Sequence, residues 1–157
     1  MRITLVLMGK TDASWLKSGI DVYTKRLSHY IRFDVVEINP PKNYKQLNPL
    51  QLKEAEGKLF LKYFEEADQV ILLDERGKMH SSEDFAAWLQ KLMNAGTRHL
   101  MFVVGGAFGF SEEVYVAANG KLSLSPMTFS HQMVRVFFAE QIYRAFTILR
   151  NEPYHNS

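Results

Sequence analysis

Leu100-Met101-Phe102-Val103-Val104-Gly105-Gly106-Ala107-Phe108-Gly109 decides the fold of this chain. Its first half is apolar without interruption, the pattern of a strand covered on both faces, and paired glycines at its end leave no side chain between backbone and ligand and permit positive φ. A second short strand over residues 122–125 runs into Pro126-Met127-Thr128-Phe129-Ser130-His131, and an earlier one, Val70-Ile71-Leu72-Leu73, runs into Asp74-Glu75-Arg76-Gly77-Lys78. Strand-end loops separated by one helix can form facing walls of a single crevice, and parallel α/β sheets bind their ligands beyond the carboxyl ends of the strands. The function is expected there.

Working outward, strand and helix alternate. Short apolar runs bounded by Gly, Pro, Asn or charge predict strands over residues 3–8, 33–38, 69–73, 100–104 and 122–125. Helices are expected over 13–30, 49–66, 82–95, 112–118 and 130–150. Asp12, Asn48, Ser81 and Ser111 are their N-caps, Pro49 takes a first helical position, and Gly96 and Gly120 mark ends. This alternation predicts an α/β fold with a mostly parallel sheet flanked by helices, in a single domain over residues 1–157.

Composition narrows the class. With 46% hydrophobic and 13% aromatic residues in 157, the chain has ample material for one core. Its lack of cysteine excludes disulfides, thiolate metal sites and thiol catalysis, and fits a reducing cytoplasm. Met1 to Lys10 reads as a first core strand rather than a signal peptide, and no run reaches the roughly 18 apolar residues of a membrane span, so a soluble protein without a membrane partner is expected. A net charge of +2 argues only weakly for nucleic acid. Lys10, Lys17, Lys25, Arg26, Arg32, Lys42 and Lys45 form either a solvated helix face or an RNA-facing surface. Gly9-Lys10-Thr11 lacks the upstream glycine of a Walker loop and no GxGxxG follows the first strand, so a nucleoside without a pyrophosphate fits better than a dinucleotide.

The last helix carries Met133, Val134, Val136, Phe137, Phe138, Ile142, Tyr143, Phe146, Ile148 and Leu149 almost all round its girth. A helix apolar on more than one face is buried on more than one face, so one face is expected on the sheet and another against a second subunit. Glu140 and Arg144, four apart, have the spacing of an ion pair. Arg135 has no acid three or four residues away and is expected to be free for a phosphate or carboxylate.

Gly105-Gly106-Ala107-Phe108-Gly109, the run from Leu122 through Ser123-Leu124-Ser125-Pro126-Met127-Thr128-Phe129-Ser130-His131-Gln132-Met133-Val134 to Arg135, Glu140-Gln141-Ile142-Tyr143-Arg144-Ala145 and the ending Pro153-Tyr154-His155 together resemble the RlmH family of SPOUT-class RNA methyltransferases. Met8-Gly9-Lys10 and the Glu54-x-Glu56-Gly57 helix resemble it too, so the likeness spans essentially the whole chain. The family varies where this chain has Pro126 and Ser130.

The resemblance implies an S-adenosylmethionine-dependent enzyme that methylates N3 of a pseudouridine in 23S ribosomal RNA, working as a cytoplasmic homodimer with a carboxy-terminal trefoil knot. By motif position the cofactor contacts are Leu73, Gly105, Leu124, Ser125, Pro126, Met127, Thr128 and Phe129. A sulfonium methyl donor is already activated, so the chemistry calls for no metal. It calls for alignment, a service that can be worth roughly 7–11 kcal/mol. Loss of the N3 proton leaves His131 and His155 as candidate bases, Arg135 as a candidate cation for the developing anion, and Tyr154 as a ring to stack on a base, with each tail completing the partner's site. Two alternatives stay open: a SPOUT enzyme acting on tRNA, and a non-catalytic flavodoxin-like binding module.

Overall fold

In a computed structural model the described residues are 1–156. Ser157, last residue of the tail read above, lies outside them. The strands are β1 (Arg2–Met8), β2 (Arg32–Ile38), β3 (Gln69–Met79), β4 (His99–Val104) and β5 (Gly120–Ser123). The α-helices are α1 (Ser14–Leu27), α2 (Pro49–Phe64), α3 (Ser82–Asn94), α4 (Glu112–Ala117) and α5 (Met133–Leu149). All five strands join one sheet in the order β2-β1-β4-β3-β5, and every pairing is parallel.

The continuous apolar runs are the central strands for the expected reason. Every residue of β4 is buried, as is β1 from Ile3 onward, because helices cover both faces. On one face Leu5, Leu7, Phe102 and Val104 meet Phe85, Phe138 and Ile142 from α3 and α5. On the other Val6, Met8, Met101 and Val103 meet Phe60, Phe64 and Val114 from α2 and α4. Each such fully buried side chain contributes about 1.5–3 kcal/mol of apolar transfer.

Capping explains where the helices begin. Asn48 and Gln51 form a reciprocal capping box with Pro49 at the first turn, and the Ser81 and Ser111 side chains each accept from a backbone N–H three residues on. Two expectations are corrected. The N-cap of α1 is Ala13, with no side-chain cap hydrogen bond, and Asp12 lies one residue earlier, its N–H donating to the Gln132 side chain at 2.9 Å. Gly120 does not close a helix; it opens β5, while Gly96 does take the positive φ of a helix end. The larger difference is β3, which continues past Leu73 through polar residues to Met79. It does so across an irregularity between Leu73 and Lys78, after which Lys78 and Met79 pair again with Leu122 and Ser123 of β5. Gly77 makes that possible: a Cβ there would lie 2.6 Å from the Leu122 backbone.

α5 packs on α1 and α3 of its own chain as well as on the sheet. Much of its apolar girth is therefore covered within the chain, by α1 and α3 as well as by the sheet. Trp15 and Val22 on α1, 64% and 45% exposed, and Phe137 on α5 stay outside that cover. Among the described residues no helix is long and apolar enough to cross a membrane.

Candidate active site

The irregular middle of β3 and the carboxyl ends of β4 and β5 enclose a crevice of about 660 Å³, within the range of small-molecule sites. Leu73 to Arg76 form one wall, residues 104–110 the floor, and Leu122 to Ser125 with residues 127–131 the other wall. The strand-end loops singled out in the sequence do converge. Leu73, Gly105, Leu124, Ser125, Met127, Thr128 and Phe129 all line the space, while Pro126 is not among the lining residues.

Local hydrogen bonds fix the walls. The Ser123 hydroxyl donates to the Ser125 carbonyl at 2.8 Å, and the Ser125 hydroxyl accepts from the Met127 N–H at 3.0 Å, which turns the chain out of β5. Thr128 donates to Glu75, tying the two walls together across the opening. At the rim Tyr115 donates to Asp74, and its ring lies within 5.7 Å of the Arg76 guanidinium and 5.4 Å of the Lys121 ammonium. Burial and then the Asp74 hydrogen bond raise the Tyr115 pKa, so the phenol stays protonated.

The glycines work differently from the simple expectation of positive φ. Only Gly109 of this loop has it, at 83°. A Cβ at Gly105 would press on the buried Phe110 ring at 3.2 Å and the Gly109 carbonyl at 3.3 Å. A Cβ at Gly106 would lie 2.6 and 2.7 Å from the two carboxylate oxygens of Glu56. Both glycines let the loop sit down on what lies beneath it.

His131 lines the crevice, as expected for a candidate base. Burial first, and then the Arg135 charge, push its imidazole below the ordinary histidine pKa, so it is neutral at neutral pH and able to accept a proton. Arg135 is not free, and that expectation is corrected. Its side chain is wholly buried; Nη2 donates to the Met8 carbonyl at 2.7 Å, Nη1 to the Gly9 carbonyl at 2.9 Å and the Thr11 hydroxyl at 3.0 Å, and Nε to the His131 carbonyl at 2.9 Å. Glu37 stands 3.7 Å away as its counter-charge. Arg135 thus fastens the start of α5 to the loop after β1, and its distant acceptors explain why sequence spacing found no partner.

Tyr154 and His155 do not line the crevice of their own chain. Tyr154 packs edge-on against Tyr143 with ring centroids 4.7 Å apart, lies under the Arg144 guanidinium at 4.8 Å, and donates to Glu140 at 3.0 Å. His155 Nε2 meets Glu83 at 2.8 Å, a contact that holds the Glu83 carboxyl below its usual range. The Glu140–Arg144 pair read from the sequence is present and organises this turn.

One group escaped the sequence reading except as part of a motif. Glu56 is 5% exposed, and its Oε1 meets no hydrogen-bond donor. The signal was available: Leu52, Glu56, Phe60 and Phe64 stand four apart, so an acid interrupts a stripe of buried apolar residues on α2.

A family model described as "Predicted SPOUT methyltransferase" matches residues 1–155. The ribosomal RNA large subunit methyltransferase H of Flavobacterium johnsoniae is 58% identical over 156 residues, 99% of each chain. That of Christiangramia forsetii is 55% identical over the same share. Among solved structures, a methylase family protein of Haemophilus influenzae superposes with a TM-score of 0.55 at 13% identity, covering 96% of this chain and 66% of that one. A tRNA methyltransferase of Aquifex aeolicus gives 0.52 at 12% identity, covering 100% and 75%. These two speak for the fold alone.

Proposed function

The chain belongs to the SPOUT methyltransferase family, and from that premise we propose that it methylates N3 of a pseudouridine in the 23S ribosomal RNA of the large subunit. It is an S-adenosylmethionine-dependent methyltransferase, which removes the non-catalytic module from consideration. The observation that carries the reading is the convergence of three strand-end loops on one crevice whose lining holds the residues the motif singles out. Two relatives named for large-subunit ribosomal RNA, more than half identical over their full length, support that substrate over tRNA. A single domain over 1–157, a carboxy-terminal knot and action in the cytoplasm belong to the same reading.

The residues present fit the methyl donor. Apolar Leu73, Leu124, Met127 and Phe129 can enclose a purine, and backbone groups at Gly105 and along residues 124–129 can hold its edges. The donor supplies a methyl group already activated on a sulfonium. This chain's own part is to exclude water, align the acceptor nitrogen and take its proton, for which the neutral His131 on the crevice wall is the first candidate. Arg135 serves by holding the His131 backbone rather than by meeting the developing anion.

The working unit is a homodimer. On this reading Trp15 and Val22 of α1 and Phe137 of α5, all exposed, form one partner-facing strip. An isologous contact through this strip would let the tail of one subunit reach its partner's crevice, supported by the absence of Tyr154 and His155 from the lining of their own. Transfer of labelled methyl to isolated large subunits, assembled ribosomes and tRNA tests the substrate. Label on N3 of a 23S pseudouridine is expected; label on tRNA alone would overturn the assignment.

A further inference from the structure

Glu56 puts a carboxyl group where water cannot solvate its charge, and an isolated buried charge must find a proton or a cation. Burial pushes its pKa up to about 7, with no charged neighbour contributing, so at neutral pH it stands between the two forms. Of the titratable groups near it on the surrounding elements, Lys53 on its own helix is half-buried and Glu54 and Lys58 are exposed, Glu112 and Glu113 on α4 are exposed and Tyr115 is half-buried with its hydroxyl on Asp74, and the loop over 105–111 carries none. Glu56 lies behind the crevice lining rather than in it: a Cβ on Gly106, which does line the crevice, would stand 2.6 Å from Oε2 and 2.7 Å from Oε1, and a Cβ on the next residue, Gly57, would lie 2.5 Å from the Ser111 hydroxyl.

Resting on the methyl-donor reading above, we propose that Glu56 is a positioning residue that senses charge in the crevice and favours the cationic donor over the product left after transfer. The chemistry supplies the difference. When the carbon–sulfur bond to the methyl breaks, its electron pair stays on sulfur, turning sulfonium into neutral thioether, while the acceptor nitrogen's lone pair forms the new bond and its proton leaves. A carboxylate against the floor is stabilised by the cation and loses that stabilisation on transfer. Donor binding therefore expels a proton from Glu56, and transfer lets one return, which loosens the product.

The test is calorimetric titration of the full chain with S-adenosylmethionine and S-adenosylhomocysteine between about pH 6 and pH 8, in buffers of different ionisation enthalpy. A bound cation that lowers the Glu56 pKa by about one unit, from about 7, raises the donor-to-product affinity ratio about fivefold between pH 6 and pH 8. Proton release near neutrality is expected with the donor and not with the product. In Glu56→Gln, checked for folding by circular dichroism, the ratio is expected to be lower and level from about pH 7 to pH 8, leaving only the more acidic titration of His131. A folded Glu56→Gln that keeps the wild-type ratio and its pH dependence overturns the inference. So does wild-type donor binding without proton release, a measurement that needs no variant. A wild-type protein that binds neither ligand overturns the methyl-donor reading and this inference together, whereas binding of both at a flat ratio overturns only the inference.

Discussion

Arg135 brings a full charge into a place with no exposed surface, and four hydrogen bonds with a carboxylate nearby make that tolerable. Arg135→Met removes the charge but leaves the Met8, Gly9 and His131 carbonyls without their donor and Glu37 without its cation. The expected loss is about 3–5 kcal/mol, the usual result of breaking a buried ionic network by one partner, read as a fall in the urea midpoint. Arg135→Lys should recover little of it, since one ammonium cannot reproduce a planar fork serving acceptors on both sides. Unchanged stability would return Arg135 to the list of catalytic groups. His131 answers to a different measurement. If it takes the N3 proton, His131→Gln lowers kcat by about 10²–10⁴ with cofactor affinity kept. Its pKa lies below the ordinary histidine value, so wild-type kcat at saturating donor should be level through neutrality and fall only at more acidic pH, where the imidazole gains its proton. A wild-type acid limb at or above the ordinary value points to another base.

Among the elements, α1 and α5 decide assembly. Trp15 and Val22 lie on α1 either side of Gly19, whose Cα comes so near α5 that a Cβ would stand 3.1 Å from Val136. Trp15 is largely exposed, so Trp15→Glu should alter the stability of the isolated subunit by no more than about 0.5 kcal/mol. In a dimer joined along this strip it buries an unpaired charge. Light scattering should then report a folded monomer without methyl transfer, and a dimer of normal activity would move the interface elsewhere. The same elements mark what the sequence makes legible. Uninterrupted apolar runs announce β1 and β4 because a strand covered on both faces has no polar side. The polar second half of β3 carries no such signal, because its pairing depends on Gly77 approaching the Leu122 backbone, a long-range fact. The crevice was legible because glycines and an apolar loop end the two strands, β4 and β5, that flank β3. The fate of Arg135 was not, since three of its four acceptors, the Met8 and Gly9 carbonyls and the Thr11 hydroxyl, lie more than 120 residues away. Glu56 was half-legible, its burial written in the spacing of α2 and its place under Gly106 written only in the fold.

At the scale of the whole molecule the tail poses the sharpest question, because in its own chain it is fastened to α5 and to Glu83 rather than to the crevice. An ordered end that avoids its own site either supports its helix or serves a neighbour. Removing residues 154–157 should spare dimerisation and cofactor affinity and sharply lower methyl transfer if it serves a neighbour. If it only props α5, the loss appears as stability. Mixed dimers separate the two with a second lesion. Gly105→Val suits the purpose, although its effect comes through pressing Phe110 and the Gly109 carbonyl, so that the crevice floor shifts; its dimerisation must be checked first. Pairing one truncated subunit with one Gly105→Val subunit puts both lesions into a single site if tails cross over, and leaves the other site whole. Two isologous sites are equivalent, so such heterodimers should retain about half of wild-type activity although each parent homodimer is inactive. If each tail instead serves its own subunit, one site lacks its tail and the other its floor, and the heterodimer is as dead as its parents. The assay is methyl transfer by heterodimers purified through two different tags, and inactivity there, with both parents shown to dimerise, rules out completion in trans.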